Sequence, residues 1–152
     1  MPSQSNHSFT PYLIIDGASD AIEFYKKALG ATELMRMLGP GGKIGHAELQ
    51  IGNSRVMMAD ECLEMGAKSP GSRGGSPVML HVYLEGVDEV VERAVAAGAE
   101  VVRPLQGQFY GDRTCLFKDP FGHSWNVATH IEGVAPEELQ RRAAEMGKGG
   151  DS

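Results

Sequence analysis

The chain has 152 residues, which is the length of one ordinary domain and enough to bury an apolar core. Hydrophobic residues make up 41% and charged residues 22%, so the composition is globular rather than disordered or fibrous. The formal net charge is −6 and the basic residues are scattered, which argues against a nucleic-acid partner or an anionic membrane surface.

The sequence also gives expectations about cellular compartment. No stretch approaches the roughly 18 apolar residues of a membrane span, and residues 1–8 are too polar for a secretory signal. Two cysteines, Cys62 and Cys115, are too few for a disulfide framework and lack the spacing of a metal site. We therefore expect a cytoplasmic protein with two unpaired thiols.

The first half of the chain predicts a strand, a helix and three more strands. Residues 9–15 are expected to form the first strand. Apolar residues at helical spacing then predict a helix that ends at Gly30, with Ser19 or Asp16 as its cap. The dipeptide Gly52-Asn53 is a hairpin signal between the last two strands. The three strands are predicted at 32–38, 44–51 and 54–60.

The second half repeats this order of elements. A strand at 78–84 leads into a helix that stops at Gly98, and Asp119-Pro120-Phe121-Gly122 forms the last hairpin turn. The remaining strands are predicted at 99–103, 113–118 and 123–130. A repeat of about 68–70 residues is therefore visible in the sequence itself.

These elements predict one domain made of two similar modules. The modules cover about 9–61 and 78–131, with a linker at 62–77 that is rich in Gly, Ser and Pro, and a C-terminal helix follows at about 135–146. We predict an α+β fold in which two strand–helix–three-strand modules form mixed, mostly antiparallel sheets that curl into a cup.

Alternation along the strands predicts which side chains line the cup. Each strand has one apolar face and one mixed face, and the mixed faces bring polar groups together with Met and Tyr, as a small-molecule site requires. The simpler alternative is that these faces are the solvated side of an ordinary antiparallel sheet. The predicted lining is Tyr12, His46, Glu48, Met58, His81, Tyr83 and Asn126.

Two of these residues suggest chemistry, and one residue outside the set suggests ligand binding. His46 and Glu48 project to the same face, where Glu48 can act as a base that removes a proton next to a carbonyl group. They can equally form an exposed pair without a catalytic role. Arg113, in or beside a long loop that starts near Pro104, can hold an anionic group of a ligand or pair with a nearby carboxylate.

Five segments resemble one known group of proteins. They are Asp20–Gly30, Ala94–Ala99, Asp119–His123, Gly45–Leu49 and Tyr110–Arg113. The first three resemble modules of the vicinal-oxygen-chelate superfamily, the glyoxalase and bleomycin-resistance type, and the last two resemble its PhnB-like branch. The resemblance covers about residues 9–146. It implies paired βαβββ modules, a cup and usually a homodimer.

Metal-dependent members of that superfamily hold a divalent ion with four side chains. The resemblance places these positions at Thr10, at Val56 or Met58, at Met79 and at Asn126. None of these is a usual ligand of Ni²⁺, Zn²⁺ or Fe²⁺. A shift of two residues brings in Tyr12, His81 and Ala128, which does not complete a set. We therefore predict no metal and no cofactor, although His46, Glu48 and His81 would form an unusual site if their strands converged.

The sequence thus predicts a metal-independent homodimer that binds a small-molecule ligand, either to sequester it or to transfer a proton. The main alternative is a metal-dependent lyase, isomerase or dioxygenase whose ligands lie elsewhere. A third interpretation is a partner-binding subunit with a vestigial cleft.

Overall fold

The computed structural model describes residues 8–149, which form two mixed four-stranded sheets and four α-helices. The first module consists of β1 (Tyr12–Ile15), α1 (Ala18–Leu29), β2 (Thr32–Leu38), β3 (Ile44–Ile51) and β4 (Ser54–Asp60). The linker contains α2 (Pro70–Arg73). The second module consists of β5 (Met79–Tyr83), α3 (Val87–Ala96), β6 (Glu100–Gly107), β7 (Asp112–Lys118) and β8 (Ser124–His130), and α4 (Pro136–Gly149) follows.

The two sheets have the same topology. Their strand orders are β1-β4-β3-β2 and β5-β8-β7-β6. The first strand of each module runs parallel to the last, and the other neighbours are antiparallel. The predicted α+β class is therefore confirmed, with two open sheets rather than a closed barrel. Among the described residues, no helix is long and apolar enough to cross a membrane.

The helix starts are capped from across the sheet rather than from nearby sequence. Gly17, with φ 96°, lies at the start of α1, and the N–H groups of Gly17 and Ala18 donate to Oδ1 of Asp60 at 3.1 and 2.8 Å. The prediction that Ser19 or Asp16 caps this helix is wrong. Because β4 runs parallel beside β1, its last residue ends next to the helix start, so Asp60 takes the capping role.

One apolar core joins the two modules. The helices α1 and α3 pack against each other, and each also covers the apolar face of its own sheet. Tyr25 of α1 donates a hydrogen bond of 2.5 Å to Asp119, which follows β7, and its ring lies 5.3 Å from that of Trp125. Trp125 is a buried core residue.

The strand limits differ from the prediction at the two sheet edges. β1 begins at Tyr12 rather than residue 9, after Pro11, which has no N–H to donate. β6 continues to Gly107 rather than ending at 103, because Pro104 is tolerated on an edge strand. The prediction of a long loop that starts near Pro104 is therefore wrong. A short turn at 108–111 connects β6 to β7 instead.

Candidate functional site

A chain of hydrogen bonds crosses the open face of the first sheet. Tyr12 Oη lies 2.8 Å from His46 Nδ1, and His46 Nε2 lies 3.0 Å from Glu48 Oε2. Arg55 Nη1 donates to the other oxygen of Glu48 at 3.3 Å. The register explains the grouping, because Tyr12 pairs with Met57 and Met57 pairs with Glu48. Side chains of three neighbouring strands therefore stand side by side.

We call the hydrogen-bonded series Tyr12, His46 and Glu48 the relay. The order of its members determines which group can contact a ligand. An ionised Glu48 accepts the Nε2–H of His46, which leaves Nδ1 free to accept the Tyr12 hydroxyl. The same logic operates where a carboxylate orients a histidine toward a nucleophile. Burial, and then the negative charge of Glu48, raise the pKa of Tyr12, so its hydroxyl stays protonated at neutral pH. Tyr12, rather than Glu48, is the exposed end of the relay.

Tyr12 also borders a cavity of about 530 Å³, the size of a small-molecule site. The cavity lies between β1, the turn that joins β2 to β3, and the segment after β4. Its walls are mostly apolar, and the polar residues in the lining besides Tyr12 are Lys43, Asp60, Glu61 and Cys62. The lining residues that matter below are Tyr12, Ile14, Ile44, Ala59, Met65 and Ala67.

The prediction that Met58 lines the cup is wrong. Met58 pairs with Ala47 and is fully buried in the core with it. Met57 takes the place on the open face, where it pairs with Glu48 and is partly exposed. The two-residue hairpin at 52–53 sets this register, because it pairs Ile51 with Ser54.

The open face of the second sheet carries a second polar group. The Asn126 amide lies 2.8 Å from His81 Nδ1, and the His81 and Tyr83 rings are 4.9 Å apart. Tyr83 donates a bond of 2.6 Å to Asp112, and His130 Nδ1 lies 2.9 Å from the same carboxylate. Burial opposes ionisation of Asp112, but the hydrogen bonds from Tyr83 and His130 lower its pKa overall. Bonding to Asp112 likewise raises the pKa of Tyr83.

The sequence did not predict the Asp112–His130 pair. Alternation along β8 places His130 on the same face as Asn126. What it could not show is that Asp112 begins β7 directly opposite His130. The cross-strand register therefore supplies the missing signal.

Arg113 does not reach a ligand from a loop, as one prediction proposed. It lies within β7, and its Nε and Nη2 donate to the two carboxylate oxygens of Asp88 at 2.8 and 3.0 Å. Asp88 belongs to α3, on the helix side of the sheet. The hydrogen bonds from Arg113 lower the pKa of Asp88. The alternative considered above, a pair with a nearby carboxylate, is the one that the structure contains.

The positions at which relatives hold a metal do not fit one here. Val56 and Met58 are buried in the core, and the Asn126 amide is bonded to His81. Across residues 8–149, no group of three or more His, Cys, Asp or Glu side chains is placed to hold an ion. His81 belongs to the second sheet and His46 and Glu48 to the first, and the three do not form such a group within the described residues.

Comparison with known proteins identifies the family. The model of the Glyoxalase/Bleomycin resistance protein/Dioxygenase superfamily matches residues 7–127. An uncharacterised protein of Mycobacterium bovis is 42% identical over 145 residues, which cover 93% of this chain and 95% of that protein. An uncharacterised protein of Arabidopsis thaliana is 25% identical over 151 residues, covering 91% and 90%.

Solved structures share the fold. TioX from Micromonospora sp. ML1 has 29% identity and a TM-score of 0.64, covering 83% of this chain and all of that one. A PhnB protein of Bacillus cereus has 18% identity and a TM-score of 0.62, covering 81% and 99%. At that identity, the second likeness concerns the fold alone.

Proposed function

Because the chain belongs to the glyoxalase/bleomycin resistance protein/dioxygenase superfamily, we propose that it binds a small organic molecule in the cavity of its first module. One observation carries the proposal: the relay ends at Tyr12, and Tyr12 forms part of the cavity wall. The apolar walls would bury the body of the ligand, and the Tyr12 hydroxyl would bond to one of its polar atoms.

The same geometry supports proton transfer as a second function. The Tyr12 hydroxyl can pass its proton to His46 Nδ1 while Tyr12 Oη takes a proton from an acidic atom of a bound ligand, so that the ligand loses one proton and the imidazole gains one. Glu48 balances the positive charge on the imidazole. Neither proposed function requires a metal, and the side chains at the family's metal positions do not suit one.

We further propose a cytoplasmic homodimer of the PhnB-like branch. Two large side chains on the open faces, Tyr12 and Tyr83, are 46% and 57% exposed. A second copy that places its second sheet over the first sheet would cover both and complete the cup. The motifs Gly45–Leu49 and Tyr110–Arg113 support the assignment to this branch.

Binding is tested with a small-molecule library screened by thermal unfolding in EDTA. For the compounds that bind, we expect Tyr12→Phe to weaken affinity about tenfold, because one hydrogen bond is lost, which corresponds to about 1.4 kcal/mol. Ala67→Trp should abolish binding by placing an indole at the cavity wall.

Tyr110→Phe is the matched control, since it removes a hydroxyl from a side chain that does not line the cavity and should leave affinity unchanged. The proposal fails if Tyr110→Phe weakens binding as much as Tyr12→Phe does. It also fails if compounds bind only after Ni²⁺, Zn²⁺, Mn²⁺ or Fe²⁺ is added.

A further inference from the structure

A second cavity, which we call the intermodule groove, lies between β1 and the segment that leads into β5. Its volume is about 410 Å³. Phe9, Pro11, Val78 and Leu80 supply apolar surface, and Lys68 and Arg73 stand in its wall. No aspartate or glutamate of the described chain lines the groove. The groove is therefore locally positive in a protein whose formal net charge is −6.

Within residues 8–149, the two cations of the groove have no polar partner for their side chains. Six other lysine and arginine side chains of this range form ion pairs with carboxylates, among them Arg36 and Arg142. Neither the Lys68 ammonium nor the Arg73 guanidinium has a hydrogen bond or ion pair with any residue of the described chain. Both charges are thus available to an anion from outside the chain.

The backbone that carries these cations is fixed on two sides. Glu61 accepts a bond of 3.0 Å from the Ser69 N–H and one of 2.7 Å from the Ser72 hydroxyl. On the other side, Pro70 is buried and packs so closely on Gly122 that a Cβ atom there would lie 2.8 Å from the Pro70 Cβ. Lys68 and Arg73 therefore flank an anchored turn, which lowers the ordering cost of binding.

We infer that the intermodule groove binds a small organic anion with an apolar body. The carboxylate, phosphate or sulfonate group of this anion lies between Lys68 and Arg73, and the apolar body of the anion lies against Phe9, Pro11 and Val78. Tyr12 and Ile14 border both this groove and the first-module cavity. The anion site nevertheless does not depend on His46 or Glu48, so it can exist whether or not the proposed function is correct.

The test uses two fluorescent probes of similar shape. Anilinonaphthalene sulfonate is anionic, and phenylnaphthylamine is its neutral counterpart. We expect one saturable site for the sulfonate, with affinity that falls as salt is added, because the binding is partly electrostatic. The Lys68→Met, Arg73→Met double variant should bind the sulfonate at least tenfold more weakly while its affinity for the neutral probe stays the same.

The control is Arg103→Met with Lys118→Met, which removes the same net charge at two exposed cations outside the groove. Equal weakening in the control would overturn the proposal, as would equal affinity of the wild type for both probes. Competition then separates the sources of the anion: octanoate, octyl phosphate or both should displace the sulfonate, and octylammonium should not. Displacement by octylammonium at the same concentration would also overturn the proposal.

Discussion

Asp119 satisfies four hydrogen-bond donors at the junction of the two modules. It accepts from the Tyr25 hydroxyl at 2.5 Å, the Trp125 Nε1–H at 2.9 Å, and the N–H groups of Phe121 and His123 at 2.9 and 3.0 Å. Asp119, Tyr25 and Trp125 are all buried. Removing this acceptor would leave buried donors unsatisfied, which costs more than the net value of the bonds themselves.

Asp119→Asn should therefore lower the free energy of unfolding by about 3 kcal/mol, since an amide offers one acceptor oxygen and introduces donors of its own. Urea denaturation measures this change. The exposed substitution Glu92→Gln serves as the control and should stay within about 0.5 kcal/mol of the wild type. If the free energy of unfolding falls no more in Asp119→Asn than in the control, Asp119 does not stabilise the junction of the modules.

Because of Tyr25, the free energy of unfolding depends on pH in the alkaline range. Burial, followed by the negative charge of Asp119, raises the pKa of Tyr25 well above the ordinary value of 10.0. A folded-state pKa that is higher than the unfolded one favours folding below about pH 10, and this contribution is lost as the pH rises further. Unfolding free energies from pH 8 to 11 should thus fall less steeply in Tyr25→Phe than in the wild type. Parallel curves would argue against this role for Tyr25.

The relay makes a definite prediction for one imidazole. His46 should carry its proton on Nε2 in the neutral form, because Glu48 accepts there and Tyr12 donates to Nδ1. Nitrogen-15 NMR distinguishes the two tautomers. In Glu48→Gln this preference should weaken, and in Tyr83→Phe it should persist. A neutral His46 protonated on Nδ1 in the wild type would contradict the order of the relay.

At the scale of the elements, each helix start depends on the end of a distant strand. Asp60 accepts from the start of α1 and, through Oδ2, from the Ile44 N–H at 2.8 Å. In the second module, Thr129 at the equivalent place accepts from Val87 at 3.0 Å and donates to the Leu84 carbonyl. The carboxylate accepts from three donors, whereas the hydroxyl accepts from one.

We therefore expect Asp60→Ala to lower the free energy of unfolding by about 2 kcal/mol, the upper end of the range for a helix cap. Asp60→Asn should lose less, because it keeps one acceptor oxygen. Chemical denaturation ranks the two variants. If both variants match the wild type, the cap from β4 is not a source of stability.

The sequence predicted the strands of the first sheet well where alternation and hairpin signals agreed. β2, β3 and β4 have the limits expected from residue pattern alone. The cap at Asp60 was missed because it acts across 42 residues, beyond the reach of local capping rules. Met58 was placed on the wrong face because β4 was interpreted without the register that the Gly52-Asn53 hairpin imposes.

At the scale of the whole molecule, alternation grouped Tyr12, His46 and Glu48 correctly on one face. It could not show that Glu48 is held by His46 and Arg55, because these contacts depend on side-chain conformations. The repeat in the sequence predicts the fold, but the fold does not determine which ligand binds.

The dimer is tested by the molar mass in solution. Sedimentation equilibrium should give about twice the chain mass of 16.3 kDa. Met79→Glu places a charge on the open face of β5 and should favour the monomer, because that face becomes an interface. Val95→Glu, at a similarly exposed site on α3, should leave the mass unchanged. A wild-type monomer at all concentrations would exclude the proposed cup.

Ligand binding in the first-module cavity is tested by a methyl NMR titration in EDTA, with the tightest ligand from the library screen. The first-module cavity is lined by Ile14, Ile44, Ala59 and Met65, whose methyl signals report on it. The signals of Val90 and Val91 report on the buried face of α3. We expect saturable shifts at the cavity methyls and none at the two valines. Saturable binding that leaves the cavity methyls unshifted would contradict this expectation.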